Sequence, residues 1–78
     1  MTGTEFRAIR RYNRISQKQL AKHFGYKTPE SIRAIEQKYQ ENEVPPIYVK
    51  NLGVLIGYDL SDSDKSKLLL EQIPEEYF

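Results

Sequence analysis

The chain has no cysteine and no tryptophan, and its only histidine is His23. Without thiols there is no disulfide framework, thiolate zinc site or cysteine nucleophile. A single imidazole excludes a histidine-rich metal site. No apolar run approaches the ~20 residues that span a bilayer, so no membrane partner is expected. The opening MTGTEFRAIRR lacks the apolar stretch of a signal peptide, and a reducing cytosol is the expected location. No carboxylate pair has a supporting histidine, and no serine has a partnering base. The expectation is therefore a protein that is not an enzyme and needs no cofactor. The 78 residues suit one small domain with one modest core.

The net charge of +1 conceals a gradient. Residues 1–50 hold ten Lys/Arg against five Glu, whereas residues 51–78 hold two Lys against six acids. An uneven distribution of this kind points to one end that meets a polyanion and another that is solvated or meets a partner.

Hydrophobic periodicity and capping signals read as an all-α fold, a bundle of about five helices. Thr2 and Glu5 form a capping box ahead of Phe6 and Ile9, predicting a first helix over about residues 4–13. Ser16 and Gln19 form a second box, and Gly25 a C-cap, which bounds a two-turn helix over about 17–24. Thr28 reads as the N-cap of a third helix, with Pro29 at its first position. Ile32, Ile35 and Tyr39 then recur at helical spacing to about residue 40. Pro46 opens a fourth helix carrying Val49, Leu52 and Ile56 inward, and Gly57 ends it. Gly53, in the middle of that helix, predicts close approach of a neighbouring helix. Ser61 or Asp62 caps a fifth helix over about 62–73, stopped by Pro74. Its Leu68, Leu69 and Leu70 point three ways about the axis, so at least one should meet a partner or the tail.

The second and third helices, joined by a turn, form a helix-turn-helix layout. In that layout the first helix of the pair lies across the DNA backbone and the second enters the major groove. Ala21 is the small residue that a close helix crossing requires, and Gly25 lets the chain leave through a left-handed conformation. With Ile32 and Ile35 inward, the outward candidates are Pro29, Glu30, Arg33 and Ala34, with Gln37 one turn later. Arg33 can donate to guanine O6 and N7, or it can hold a phosphate. Glu30 can accept from cytosine N4 or simply compensate the helix dipole. Pro29 and Ala34 offer apolar contact, for instance to a thymine methyl. Lys27 and Thr28 in the turn are candidate phosphate ligands, and Ser31 is either a ligand or part of the cap. Tyr12, Tyr26 and Tyr48 read as residues at the edge of the core, and His23 as exposed.

The segments FRAIRRYNRISQKQLAKHFG, SIRAIE and LGVLIGYDLSD together resemble the Cro and phage-repressor type of helix-turn-helix domain, the XRE family. The match runs over about residues 5–60. Phe6, Ile9 and Arg10 fit the opening, and Ile15, Ser16, Gln17, Leu20, Ala21 and Gly25 fit the second block. Ile32, Ile35 and Glu36 fit the third, and Leu52, Ile56 and Gly57 the last. The chain departs from the pattern by one extra residue between Gly25 and Ile32 and by about three between Glu36 and Pro46. Arg14 stands where the family usually has glycine after its first helix.

The resemblance implies a lambda-repressor-like fold. It implies that Gln17 binds a backbone phosphate, that Arg10 pairs with Glu36 beside the backbone and can also face phosphate, and that Lys38 and the Gln40–Glu43 loop lie near the DNA. The expected function is sequence-specific recognition of double-stranded DNA by a transcription regulator of repressor type. Residues 1–60 would be the DNA-binding part, and residues 61–78, with Leu68–Leu70, Ile73, Tyr77 and Phe78, the dimerisation element of a homodimer on a palindromic operator. The alternative is a protein-interaction module, of antitoxin or anti-repressor type, that uses the helix-turn-helix as a scaffold.

Overall fold

A computed structural model describing residues 1–78 gives five α-helices and a terminal 3₁₀ turn, and three of the helices begin on a side-chain cap. Helix α1 spans Gly3–Tyr12. Thr2 Oγ1 accepts from the Glu5 N–H at 3.2 Å, and Glu5 Oε1 accepts from the Thr2 N–H at 2.8 Å. Helix α2, Gln17–Phe24, opens with the same device built from Ser16 and Gln19 and closes on Gly25 at φ 81°. Helix α4, Pro46–Ile56, closes on Gly57 at φ 69°. Helix α5, Ser63–Gln72, is capped by Asp62, which accepts from the N–H groups of Asp64 and Lys65.

The third helix departs from expectation at its start. Helix α3 spans Glu30–Lys38, and the residue before it, Pro29, already has helical dihedrals. The Thr28 hydroxyl caps nothing. Instead the Thr28 carbonyl accepts from Ser31 Oγ at 2.7 Å, and the Ile32 and Arg33 N–H groups reach the Pro29 carbonyl. The extra residue after Gly25 is thus absorbed in the turn. The extra residues after Glu36 form turns and a loop, which ends in an isolated antiparallel bridge between Thr2 and Glu43.

Phe6, Ile9, Leu20, Ile32 and Leu52 are fully enclosed, one or more from each of the first four helices. Burying a side chain of this size contributes roughly 1.5–3 kcal/mol. Leu60 and Ile73 complete the same core, so the segment after residue 60 helps to build it. The apolar residues expected to seek a second copy divide. Ile73 is buried, and Tyr77, in the 3₁₀ turn Glu75–Tyr77, packs edge-on against Tyr12. Arg11 Nη1 donates to the Tyr77 carbonyl at 3.2 Å. Leu68 and Phe78 remain exposed.

Two glycines mark close backbone crossings. A Cβ on Gly3 would lie 2.5 Å from the Glu36 carbonyl oxygen and 2.7 Å from that of Tyr39. The start of α1 therefore sits on the end of α3, where Gly3 and Thr4 N–H groups take the carbonyls of Tyr39 and Gln40. At Gly53 the close neighbour is the chain's own return, with the Tyr58 carbonyl oxygen 2.6 Å from a would-be Cβ. The expected neighbouring helix is not the cause.

Candidate nucleic-acid interface

Helix α3 is held from behind and open in front. Ile32 and Ile35 are buried against the core and Glu36 against α1. Glu30, Arg33, Ala34, Gln37 and Lys38 are exposed, and Pro29 and Ser31 are half-buried. The alternation follows from helical spacing, because residues three and four apart share a face. Ala21 on α2 is 2% exposed, and α2 packs against α3.

Beside α3 runs an open groove of about 800 Å³, walled by α1, the start of α2 and α3. Arg7, Arg10, Arg11 and Arg33 all line it, together with Ser16, Gln17, Gln37 and Gln40. Of these arginines only Arg10 has a carboxylate partner. Arg7, Arg11 and Arg33 have no acidic side chain within ion-pair distance. Arg11 is additionally steadied over the Tyr77 ring, 5.9 Å from its centroid.

Arg10 and Glu36 form the expected pair. Arg10 Nε donates to Glu36 Oε2 at 2.7 Å and Nη2 to Oε1 at 3.2 Å, and both side chains are buried. Arg10 Nη1 donates to the Ile15 carbonyl at 2.7 Å, which fixes the turn between α1 and α2. The guanidinium is thus committed inward on the floor of the groove. It positions α1, the turn and α3, and still lines the groove.

Glu36 Oε1 also accepts from Gln17 Nε2 at 3.1 Å. One carboxylate therefore ties α1, α2 and α3 together. Gln17 stands at the first position of α2, half-buried, with its amide oriented by Glu36 and its backbone N–H free of any partner within the helix. A helix N-terminus and an oriented amide side by side suit a phosphate oxygen.

The remaining candidates lie elsewhere. Lys27 and Thr28 are exposed in the turn before α3, outside the groove. The Ser31 hydroxyl is engaged with Thr28, so it acts in the helix start and not as a free ligand. Lys38 holds its ammonium over the Tyr39 ring, 5.4 Å from the centroid. Sequence reasoning passed over Arg7 and Arg11 as ligands. Their signal was present, because they stand four residues apart on one face of a helix.

On the far side of the turn, Tyr48 stacks on Phe24 with centroids 5.8 Å apart. The Tyr26 and Tyr48 hydroxyls are 3.5 Å apart, and this contact raises the Tyr26 pKa from its ordinary value, with a smaller contribution from desolvation. No cluster of side chains suited to a metal ion is present, and no helix is long and apolar enough to cross a membrane. Comparisons with protein-family models, with curated proteins and with solved structures returned no match.

Proposed function

We propose that this chain is a sequence-specific, double-stranded-DNA-binding transcription regulator that inserts α3 in the major groove. One observation carries the reading. The outward face of α3 is free, and the groove beside it gathers three arginines without carboxylate partners. The major groove of B-DNA admits a helix of this width, and phosphates line both of its edges. Arg33 and Gln37 are then the base readers, with Glu30 and Ala34 flanking them. Arg7, Arg11 and the Gln17 end of α2 take the backbone. The resemblance to the Cro and phage-repressor type supports a lambda-repressor-like docking and repression as the outcome.

The test is selection of bound duplexes from a random pool, followed by gel-shift titration of the winners at two salt concentrations. A DNA reader enriches a defined sequence and loses affinity steeply with salt, because each neutralised phosphate releases counterions. Equal affinity for all duplexes would make the chain a non-specific architectural binder. No shift at either salt concentration would favour the protein-interaction module.

A further inference from the structure

Beyond Ile73, which is 5% exposed, no residue of the chain is buried. Pro74 has extended backbone (φ -57°, ψ 145°) and brings no N–H of its own. Glu75–Tyr77 then make a single 3₁₀ turn, in which the Tyr77 N–H donates to the Pro74 carbonyl and the Phe78 N–H to the Glu75 carbonyl. The only hydrogen bond between this tail and the rest of the molecule is the one that Arg11 Nη1 donates to the Tyr77 carbonyl. The Arg11 guanidinium over the Tyr77 ring and the edge-on Tyr12 ring add to it. Tyr77 is half-buried, whereas Pro74, Glu75, Glu76 and Phe78 are exposed. The tail is thus anchored firmly at Ile73 and held lightly after it.

This lightly held tail reaches the arginine groove. Every residue lining the groove belongs to the first forty except Phe78, which is also its only apolar side chain. Arg11 is one of the arginines of the groove, and its acceptor is the tail. Glu75 and Glu76 stand in the same turn, neither with an ion-pair partner. Each of these features opposes a polyanion. One arginine donor is occupied, an apolar ring takes part of the opening, and two negative charges come with them.

We propose that Pro74–Phe78 is an autoinhibitory strap that competes with the phosphates of a polyanion for Arg11. Closed, the strap takes one Arg11 N–H and sets Phe78 in the groove. Open, it swings about Pro74 and gives Arg11 to a phosphate oxygen. That exchanges a bond to a neutral carbonyl for a bond to a charged acceptor, which is the stronger of the two. Strap and polyanion exclude each other at this place. A strap closed about ten times as often as it is open therefore weakens the apparent affinity about tenfold. The inference rests on the reading of the groove as a phosphate site and adds a regulation of that site.

The test uses the full chain and two labelled probes, a short random-sequence duplex and heparin, which is a polyanion but not DNA. Tyr77→Ala with Phe78→Ala releases the strap and leaves every arginine in place. Both probes should then bind roughly three- to tenfold more tightly, with the helical circular dichroism of the parent. The absence of native cysteine allows the opposite experiment. Tyr12→Cys with Tyr77→Cys, joined by a short bismaleimide, holds the strap shut. The joined protein should bind about tenfold more weakly than the same protein unjoined. In the parent, nuclear Overhauser contacts between the Tyr12 and Tyr77 rings should be present without a probe and vanish when heparin saturates the protein. Binding that is unchanged after release would overturn the strap, and weaker binding would make Tyr77 a residue that positions Arg11 instead. Equal affinity of the joined and unjoined proteins would overturn it too, as would ring contacts that persist at saturation or no heparin binding by any of these proteins. If heparin follows the expected pattern while none of them binds the duplex, the strap stands and the DNA reading falls.

Discussion

Glu36→Ala tests whether one carboxylate holds the three helices of the candidate interface together. The substitution leaves Arg10 Nε, Arg10 Nη2 and Gln17 Nε2 without their acceptor. The arginine side chain is only 7% exposed, so its charge would be stranded where water reaches it poorly. Removing one partner of a buried pair costs ~3–5 kcal/mol. A domain of this length has a total stability of roughly 4–12 kcal/mol, so the variant should lie close to its unfolding threshold at room temperature. Urea unfolding followed by circular dichroism is the assay. The midpoint should fall sharply with the slope unchanged, since the surface exposed on unfolding is nearly the same. A second arm separates charge from packing. Arg10→Met with Glu36→Leu removes both charges and keeps apolar volume, and replacements of this kind are often neutral or stabilising. It should recover most of the loss. A single variant that loses less than ~1 kcal/mol, or a double variant as unstable as the single one, would refute the reasoning.

Gly3→Ala should destabilise by ~1–3 kcal/mol or more, read in the same urea titration, because its new Cβ meets backbone oxygens of Glu36 and Tyr39 that no rotamer change can move. Arg14 sits at φ 59°, a left-handed conformation that favours glycine, so Arg14→Gly should raise stability by up to ~1 kcal/mol, seen as a higher thermal midpoint. The Asp59 carboxyl is held below its ordinary pKa chiefly by the Ser61 hydroxyl. Because the folded value is the depressed one, this contact stabilises the fold above the ordinary carboxylate range and loses its effect as pH falls through the folded pKa; Ser61→Ala should move the Asp59 titration upward in a carboxyl-carbon NMR experiment. Arg33→Ala should weaken binding to the selected duplex by ~1–3 kcal/mol and relax the preference at one base pair, while Arg7→Ala should weaken all duplexes alike and reduce the salt slope by about one.

What the sequence disclosed follows the range of the forces involved. Helix α2 was legible to the residue because its signals are local: a serine box at one end and a left-handed glycine at the other. The same holds for α4, between Pro46 and Gly57. The start of α3 was misread because Pro29 already has helical dihedrals and the first free N–H groups reach backbone carbonyls of the turn, which residue type alone does not reveal. Gly3 carried no local signal at all. Its reason lies more than thirty residues away, in the carbonyls of Glu36 and Tyr39. The fold-back of the tail was hidden for the same reason, since Tyr77 meets Tyr12 and Arg11 across the length of the chain. The Arg10–Glu36 pair became legible only through the resemblance, because two opposite charges twenty-six residues apart are unremarkable on composition.

That pair also explains how a nearly neutral chain can present a cationic surface. Neutralising an arginine inside the fold uses one positive charge and one negative charge, and leaves the balance of the first fifty residues unchanged. What it changes is position. Glu36 is drawn inward to Arg10, so the acid nearest the middle of α3 lines the groove with both of its oxygens already engaged. Arg7, Arg11 and Arg33 thus stand around an opening whose only acidic side chain is already bonded by Arg10 and Gln17. The same pairing that ties α1 to α3 therefore neutralises the one acidic side chain of the groove. Structure and electrostatics are set there by one residue, which is why its removal is expected to disturb the fold and, on the proposed function, DNA affinity together.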